Sequence, residues 1–181
     1  MSAPVVVLVG VPGAGKTTAG RALADRLGVT FRDTDADIEA STGRTIADIF
    51  VESGEHEFRR LEAAAVATAL HDHGGVLALG GGAVTDPGTQ DLLRGQPVVW
   101  LRVGLASASQ RAGLSGARPV LLGNVRAQMK GLMDARAPLY TAVAQLIVDT
   151  DALSFEETGT EIVAGLELVE PVVDPTQEAN Q

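Results

Sequence analysis

The segment Gly10–Thr17, with sequence GVPGAGKT, constrains the fold more than any other stretch of the chain. It matches the phosphate-binding pattern G-x-x-x-x-G-K-[ST] at every fixed position. The apolar run at 4–9 predicts a buried parallel strand before it, and apolar spacing over 16–27 predicts a helix after it. A glycine loop between a strand and a helix N-terminus directs backbone amides at a phosphate. An ordinary glycine-rich turn would leave Lys16 unexplained.

The pattern also assigns chemistry to single residues of this loop. Lys16 is expected to reach the β- and γ-phosphates of a nucleotide, and the Thr17 hydroxyl is expected to take a place on Mg²⁺. The predicted nucleotide contacts from the loop are Gly13, Ala14, Gly15, Lys16, Thr17 and Thr18.

Length and composition favour one compact domain. The chain has 181 residues, of which 45% are hydrophobic, enough for one sizeable core, predicted to span 1–170. The Pro-, Glu- and Gln-rich end at 171–181 predicts a disordered acidic tail. The chain has no cysteine, which excludes disulfides, thiolate metal sites and a cysteine nucleophile. The first residues lack the layout of a signal peptide and the length of a membrane span, so a cytoplasmic protein with no membrane partner is expected.

The acidic charge is confined to the end of the chain. The net charge is −9, yet residues 1–136 carry 14 Lys and Arg against 14 Asp and Glu. Residues 137–181 hold the other nine acidic side chains and no Lys or Arg. The first three quarters of the chain can therefore present local positive charge to a small phosphate ligand, while the overall acidity gives no reason to expect a nucleic-acid partner.

Strand-like and helical segments alternate along the chain. Apolar runs at five places read as strands, and they lie at 4–9, 30–32, 76–79, 97–103 and 145–149. Helices are predicted over 45–53, closed by Gly54, from 55 to about 73, and over 125–135, closed by the segment 136–140. Such alternation predicts an α/β fold with a five-stranded parallel sheet covered by helices on both faces. The carboxyl edge of this sheet is where a ligand is expected.

Polar and glycine-rich residues follow two of these strands. Asp33, Asp35 and Asp37 come directly after the second, either as ligand-binding carboxylates or, in part, as a helix N-cap. Gly80–Gly82 follows the third, and three successive glycines indicate a sharp turn or a backbone lying against a ligand.

Two arginines allow both a structural and a functional interpretation. Arg59 follows Glu55 by four residues and precedes Glu62 by three, a spacing typical of a solvated ion-pair ladder on a helix. Arg118 lies in the segment 113–119, which interrupts a helix and is typical of either a mobile lid or an ordinary surface loop.

Taken together, these features resemble shikimate kinases, small kinases that phosphorylate the 3-hydroxyl of shikimate with ATP. The resemblance spans about residues 5–149. Its motifs are Gly15-Lys16-Thr17, Asp33-Thr34-Asp35, Phe58-Arg59-Arg60 with Glu62, Gly80-Gly81-Gly82-Ala83-Val84, Arg118-Pro119 and Arg136-Ala137-Pro138-Leu139-Tyr140. The resemblance implies a three-layer αβα P-loop kinase fold with a mobile lid at about 112–124, ATP and Mg²⁺ as cofactors, and a monomer.

The resemblance implies a role for each matched residue. Arg59 and Arg136 would grip the carboxylate of shikimate, and Glu62 would orient Arg59. The implied shikimate contacts are Asp35, Arg59, Gly80, Gly81, Gly82 and Arg136. The implied catalytic residues are Lys16, Asp35 as candidate base, and Arg118, which would close onto the transferring phosphate. Thr17 would bind Mg²⁺ with Asp33 acting through water, and Arg111 would lie against adenine.

One segment departs from the family pattern, and two other functions compete. After the last strand, where the family often has basic residues and a proline, the chain reads DALSFEE at 151–157, so the resemblance assigns no adenine contact there. A gluconate-kinase-like enzyme shares the fold and phosphate loop but does not account for the paired arginines Arg59 and Arg136. A non-catalytic nucleotide-binding switch protein would not need both Asp35 and Arg118.

Overall fold

The computed structural model describes residues 3–114 and 125–171. Arg118, most of the predicted lid and nearly all of the predicted tail lie outside the described residues. The strands are β1 (Val6–Val9), β2 (Phe31–Asp33), β3 (Val76–Ala78), β4 (Val98–Arg102) and β5 (Leu146–Asp149). The helices are α1 (Lys16–Leu27), α2 (Thr34–Thr42), α3 (Ile46–Asp72), α4 (Pro87–Leu93), α5 (Leu105–Leu114), α6 (Val125–Val143) and α7 (Phe155–Gly165), with a 3₁₀ turn at Ala83–Thr85.

The five strands form one parallel sheet in the order β2-β3-β1-β4-β5. In the register, Val7 of β1 lies beside Leu77 of β3 and Val98 of β4. Every residue of β1 is at most 1% exposed, as expected for a central parallel strand with helices on both faces. The predicted five-stranded parallel fold is therefore confirmed. Among the described residues, no helix is both long enough and apolar enough to cross a membrane.

The helix that carries Arg136 is longer than the sequence predicted. Helical sequence was expected over 125–135, closed by the segment 136–140, but α6 continues to Val143 with Pro138 inside it. A proline costs a helix one backbone hydrogen bond. Tertiary packing outweighs that cost, because Tyr140, one helical turn after Arg136, is only 1% exposed and stacks on Trp100 of β4.

Helix α3 is interrupted where the sequence predicted a break. Gly54 has φ 80° and ψ 170°, a backbone conformation that ends one helix and starts the next. The part before Gly54 packs with Ile38 in a second, smaller core that also contains Phe58. The part after it carries Arg59 and Glu62 toward the end of β3.

The start of α7 is fixed by a capping box. The Ser154 hydroxyl accepts from the backbone N–H of Glu157 at 3.1 Å, and the Glu157 carboxylate accepts from the Ser154 N–H at 2.7 Å. These hydrogen bonds, above all the one from the Ser154 backbone, lower the pKa of Glu157 below its ordinary value of 4.5. Because Phe155 is the first residue of α7, the cap also fixes where this side chain starts.

We expect Ser154→Ala to lower the free energy of unfolding by about 1 kcal/mol, the usual effect of losing an N-cap hydroxyl. Because the folded-state pKa of Glu157 is depressed, its contribution is present above pH 4.5 and is lost as the pH falls through the folded-state value. Urea unfolding of wild type and Ser154→Ala at pH 7 and at pH 3 measures both effects. An equal stability of the two proteins at pH 7 would contradict the prediction.

Candidate active site

The phosphate loop links β1 to α1 as the sequence predicted. Gly15 adopts φ 88°, a left-handed conformation that favours glycine, and α1 begins at the next residue. The Lys16 ammonium donates to the carbonyl oxygens of Gly10 at 2.8 Å and Val11 at 3.1 Å, so the side chain folds back over the loop. Ala14, 1% exposed, anchors the loop in the core. The N-terminus of α1 thus lies at the carboxyl edge of the sheet, the end at which a helix presents its N–H groups.

A cleft of about 380 Å³ lies in front of this loop. It brings together most of the residues predicted to bind nucleotide with both predicted carboxylates. Its lining is Pro12, Gly13, Gly15, Lys16, Thr17, Thr18, Asp33, Asp35, Leu79, Arg111 and Phe155.

Asp33 acts as a helix cap and as a partner of the phosphate loop at the same time. One carboxylate oxygen accepts from the Thr17 hydroxyl at 2.8 Å, and the other accepts from the Asp35 N–H at 3.0 Å, capping α2. Asp37 instead pairs with Arg32 at 2.7 Å and does not line the cleft. The N-cap interpretation is therefore confirmed for Asp33, and a ligand-binding role for these carboxylates stays a prediction.

The glycine turn after β3 lets two acidic side chains approach the backbone. A Cβ atom on Gly80 would lie 2.5 Å from Oε1 of Glu62 and 2.6 Å from Oδ1 of Asp35. The Gly80 N–H donates to the Thr34 hydroxyl at 3.1 Å, which joins the turn to the start of α2. Glycine is required here by this close approach, so the turn and the carboxylates of α2 and α3 form one site.

Arg59 is held against the same turn by a buried carboxylate. Its Nη1 atom lies 2.5 Å from Oε2 of Glu62, whose side chain is only 3% exposed, and a Cβ atom on Gly82 would lie 2.0 Å from Nη1. The predicted ladder partner Glu55 is also present at 3.3 Å, but its side chain is 68% exposed. The buried partner fixes the guanidinium much more firmly than the exposed one does.

Arg136 reaches the turn from the opposite element, α6. Its Nη1 donates to the Gly81 carbonyl oxygen at 2.9 Å, and the Tyr140 hydroxyl donates to the same oxygen at 2.6 Å. Two arginines that are distant in sequence thus meet at adjacent glycines. The planar guanidinium groups of Arg59 and Arg136 can each direct a pair of N–H groups at a planar anion.

Phe155 is a site residue that the sequence reasoning missed. A Cβ atom on Gly15 would lie 3.2 Å from Cε1 of Phe155 and 3.8 Å from Nη1 of Arg111, so both side chains flank the loop. Phe155 is 38% exposed, which is unusual for a large apolar ring in this chain. Its position directly after the N-cap serine of the helix that follows β5 was the available signal, because the start of a helix after a parallel strand lies near the ligand-binding edge of the sheet.

Comparison with known proteins gives the family of this chain. The family model described as shikimate kinase matches residues 12–167. The shikimate kinase of Thermobifida fusca is 53% identical over 163 residues, which cover 90% of this chain and 94% of the relative.

Solved structures give the same result. A shikimate kinase from Acinetobacter baumannii in complex with shikimate has a TM-score of 0.84 and 35% identity, covering 90% of this chain and 92% of that one. A gluconokinase from Sinorhizobium meliloti has a TM-score of 0.57 at 20% identity, covering 92% and 91%, a likeness that shows the fold alone. By its family match, its relatives and its fold, the chain belongs to the shikimate kinase family.

Proposed function

We propose that this protein transfers the γ-phosphoryl group of ATP to the 3-hydroxyl of shikimate, giving shikimate 3-phosphate and ADP. The observation that carries the proposal is the convergence of Asp35, Arg59 and Arg136 on one glycine turn beside the phosphate loop. A Cβ atom on Gly81 would lie 2.9 Å from the Pro12 ring, so the turn and the loop are in contact. A phosphate donor and an acceptor bound at these two places would be adjacent, as in-line transfer requires.

The acceptor side suits a small carboxylic acid with hydroxyl groups. Arg59 and Arg136 supply two guanidinium forks, and a fork matches a carboxylate with two hydrogen bonds. The buried Glu62 keeps Arg59 in place before the acceptor arrives. Asp35 is the remaining charged group of the turn, and we assign it to the acceptor hydroxyl, whose proton it accepts.

The donor side suits the triphosphate of ATP. The start of α1 lines the cleft, and Lys16, which now donates to the Gly10 and Val11 carbonyls, would turn from them to the β- and γ-phosphates. Thr17 and Asp33 offer a hydroxyl and a carboxylate oxygen, the kinds of ligand that Mg²⁺ prefers. Two protein ligands suit this ion, because it also binds the phosphates of its substrate. When bound, Mg²⁺ would neutralise phosphate charge. We retain Arg118 as the cation that closes onto the transferring group.

Every residue assigned to either substrate belongs to one chain, so we propose that the monomer is active. We place it in the cytoplasm, where ATP and Mg²⁺ are available, and expect neither a nucleic acid nor a membrane as a partner. Two arginines of the site, Arg59 and Arg136, are engaged at one glycine turn rather than spread over a surface, which supports this expectation.

The test is ADP release by the purified protein with ATP and Mg²⁺ in the presence of shikimate, quinate or gluconate. We expect turnover with shikimate and little with the other two. Turnover with gluconate instead would favour the gluconate-kinase alternative. Nucleotide binding without turnover on any acceptor would favour a switch protein and overturn the proposed reaction.

We expect Phe155→Ala to raise the KM for ATP by about tenfold, because the ring flanks the loop where the nucleotide base leaves the phosphates. Stacking of a base on an aromatic ring is worth about 1–3 kcal/mol. Phe155→Tyr keeps the ring and should stay within about twofold of wild type. Initial rates at varied ATP and saturating shikimate measure the effect. An unchanged KM for ATP in Phe155→Ala would remove Phe155 from the nucleotide site.

A further inference from the structure

Gly81 lies between the phosphate loop and helix α6, which carries Arg136. On one side, a Cβ atom there would lie 2.9 Å from Cδ of Pro12 and 3.3 Å from the Gly10 carbonyl oxygen, both in the phosphate loop. On the other side, its carbonyl oxygen accepts from Arg136 and from Tyr140, both on α6. Gly81 is thus in contact with both the donor half and the acceptor half of the site.

The peptide between Gly81 and Gly82 needs external anchors. Neither residue has a Cβ atom, so side chains of their own do not restrict the orientation of this peptide. Because the peptide is planar and trans, the Gly81 carbonyl and the Gly82 N–H point in opposite directions. Holding the carbonyl toward α6 thus aims the Gly82 N–H away from α6.

Tyr140 is built as a rigid anchor for this carbonyl. Its ring is 1% exposed and stacks on Trp100, with ring centroids 5.5 Å apart and an interplanar angle of 28°. Its hydroxyl is 2.6 Å from the Gly81 oxygen, shorter than the 2.9 Å contact of Arg136. Arg136, by contrast, is the residue that must turn toward the acceptor carboxylate.

We propose that Tyr140 is a positioning residue for the acceptor, an inference that rests on the proposed function. When Arg136 turns to the carboxylate, the Tyr140 hydroxyl keeps the buried Gly81 carbonyl hydrogen-bonded and the glycine turn in its binding orientation. Without that hydroxyl, acceptor binding would remove Arg136 as well, and the buried carbonyl would lose both of the donors described above, at a cost typical of an unsatisfied buried polar group.

The test compares Tyr140→Phe with Thr141→Val. Tyr140→Phe keeps the buried ring and should raise the shikimate KM about tenfold, with the KM for ATP and the melting temperature little changed. Thr141→Val removes a hydroxyl one residue later, where it donates to the Ala137 carbonyl at 2.9 Å on the exposed side of α6, and should keep wild-type values. A wild-type shikimate KM in Tyr140→Phe, or an equal rise for both substrates, would overturn the inference.

A second measurement does not depend on the folding of a variant. The chain has one tyrosine, so 3-fluorotyrosine labels Tyr140 alone. The ¹⁹F resonance should shift on saturation with shikimate, because Arg136 then leaves the shared carbonyl, and an unshifted resonance would contradict the inference. Absence of shikimate-dependent turnover in wild type would instead overturn the proposed function, and the role of Tyr140 with it.

Discussion

Asp35→Asn is expected to lower kcat about 10³-fold while leaving ATP binding within about twofold of wild type. Asparagine has nearly the same shape and still accepts a hydrogen bond, but it does not take up the proton of the attacking hydroxyl. Loss of a positioned general base typically costs 10²- to 10⁴-fold in rate. Asp35 lines the cleft, and its Oδ1 atom lies 2.6 Å from where a Cβ atom on Gly80 would be. Because asparagine has nearly the same size, this tight packing is preserved.

Asp37→Asn is the matched control for this experiment. It makes the same chemical change two residues later on the same helix, where the carboxylate pairs with Arg32 and lies outside the cleft. We expect its kcat to stay within about twofold of wild type. Steady-state ADP release gives kcat for all three proteins, and calorimetric titration gives ATP affinity. Near wild-type turnover of Asp35→Asn would show that Asp35 is not the base.

Gly82→Ala is expected to raise the shikimate KM about 100-fold and to lower the melting temperature of a protein that still folds. The added methyl group would lie 2.0 Å from Nη1 and 2.6 Å from Cζ of Arg59, so the guanidinium must move. The atoms that give way are the end of a flexible side chain, which is why the fold should survive. The displaced fork would lose its two-point grip on the carboxylate and its alignment with the buried Glu62.

Gly131→Ala provides the control for a glycine-to-alanine change. This glycine lies in α6 with nothing within 4 Å of an added Cβ atom, so the variant should keep wild-type kinetics and be slightly stabilised. Initial rates at varied shikimate and saturating ATP give the shikimate KM of Gly82→Ala and Gly131→Ala, and melting curves give their melting temperatures. A Gly82→Ala enzyme with a wild-type shikimate KM would show that the position of Arg59 does not matter for the acceptor.

Asp35→Asn and Gly82→Ala test the same physical idea, which is that the side chains of the acceptor half are held in place before the acceptor binds. Arg59 is paired with the buried Glu62, and the Gly81 carbonyl of the glycine turn is held by Tyr140, in the structure itself. Groups already held in place need little reorganisation when charge develops during phosphoryl transfer. Phosphoryl transfer demands little covalent chemistry from a protein, so this preorganisation is the main contribution that the chain makes.

Several elements were predictable because their signals are local. The phosphate loop, the break at Gly54, the end of α1 at Gly28 and the five strands follow from short patterns of glycine and apolar residues. The end of α6 was predicted too early, because Pro138 is a local signal for termination and the packing of Tyr140 that overrides it is not local. Phe155 was missed because its contact with the loop depends on where α7 starts in space.

Two ion pairs with the same sequence spacing show most clearly what the sequence determines and what only the tertiary structure decides. Glu57 with Arg60 and Arg59 with Glu62 are both three residues apart on α3, yet the Glu57 side chain is 36% exposed and the Glu62 side chain 3%. The sequence by itself determined the phosphate loop, the parallel sheet and the presence of charged pairs on this helix. Only the tertiary structure decided which pair is buried and which arginine faces the glycine turn, because burial depends on β3, α2 and α6 arriving from distant parts of the chain.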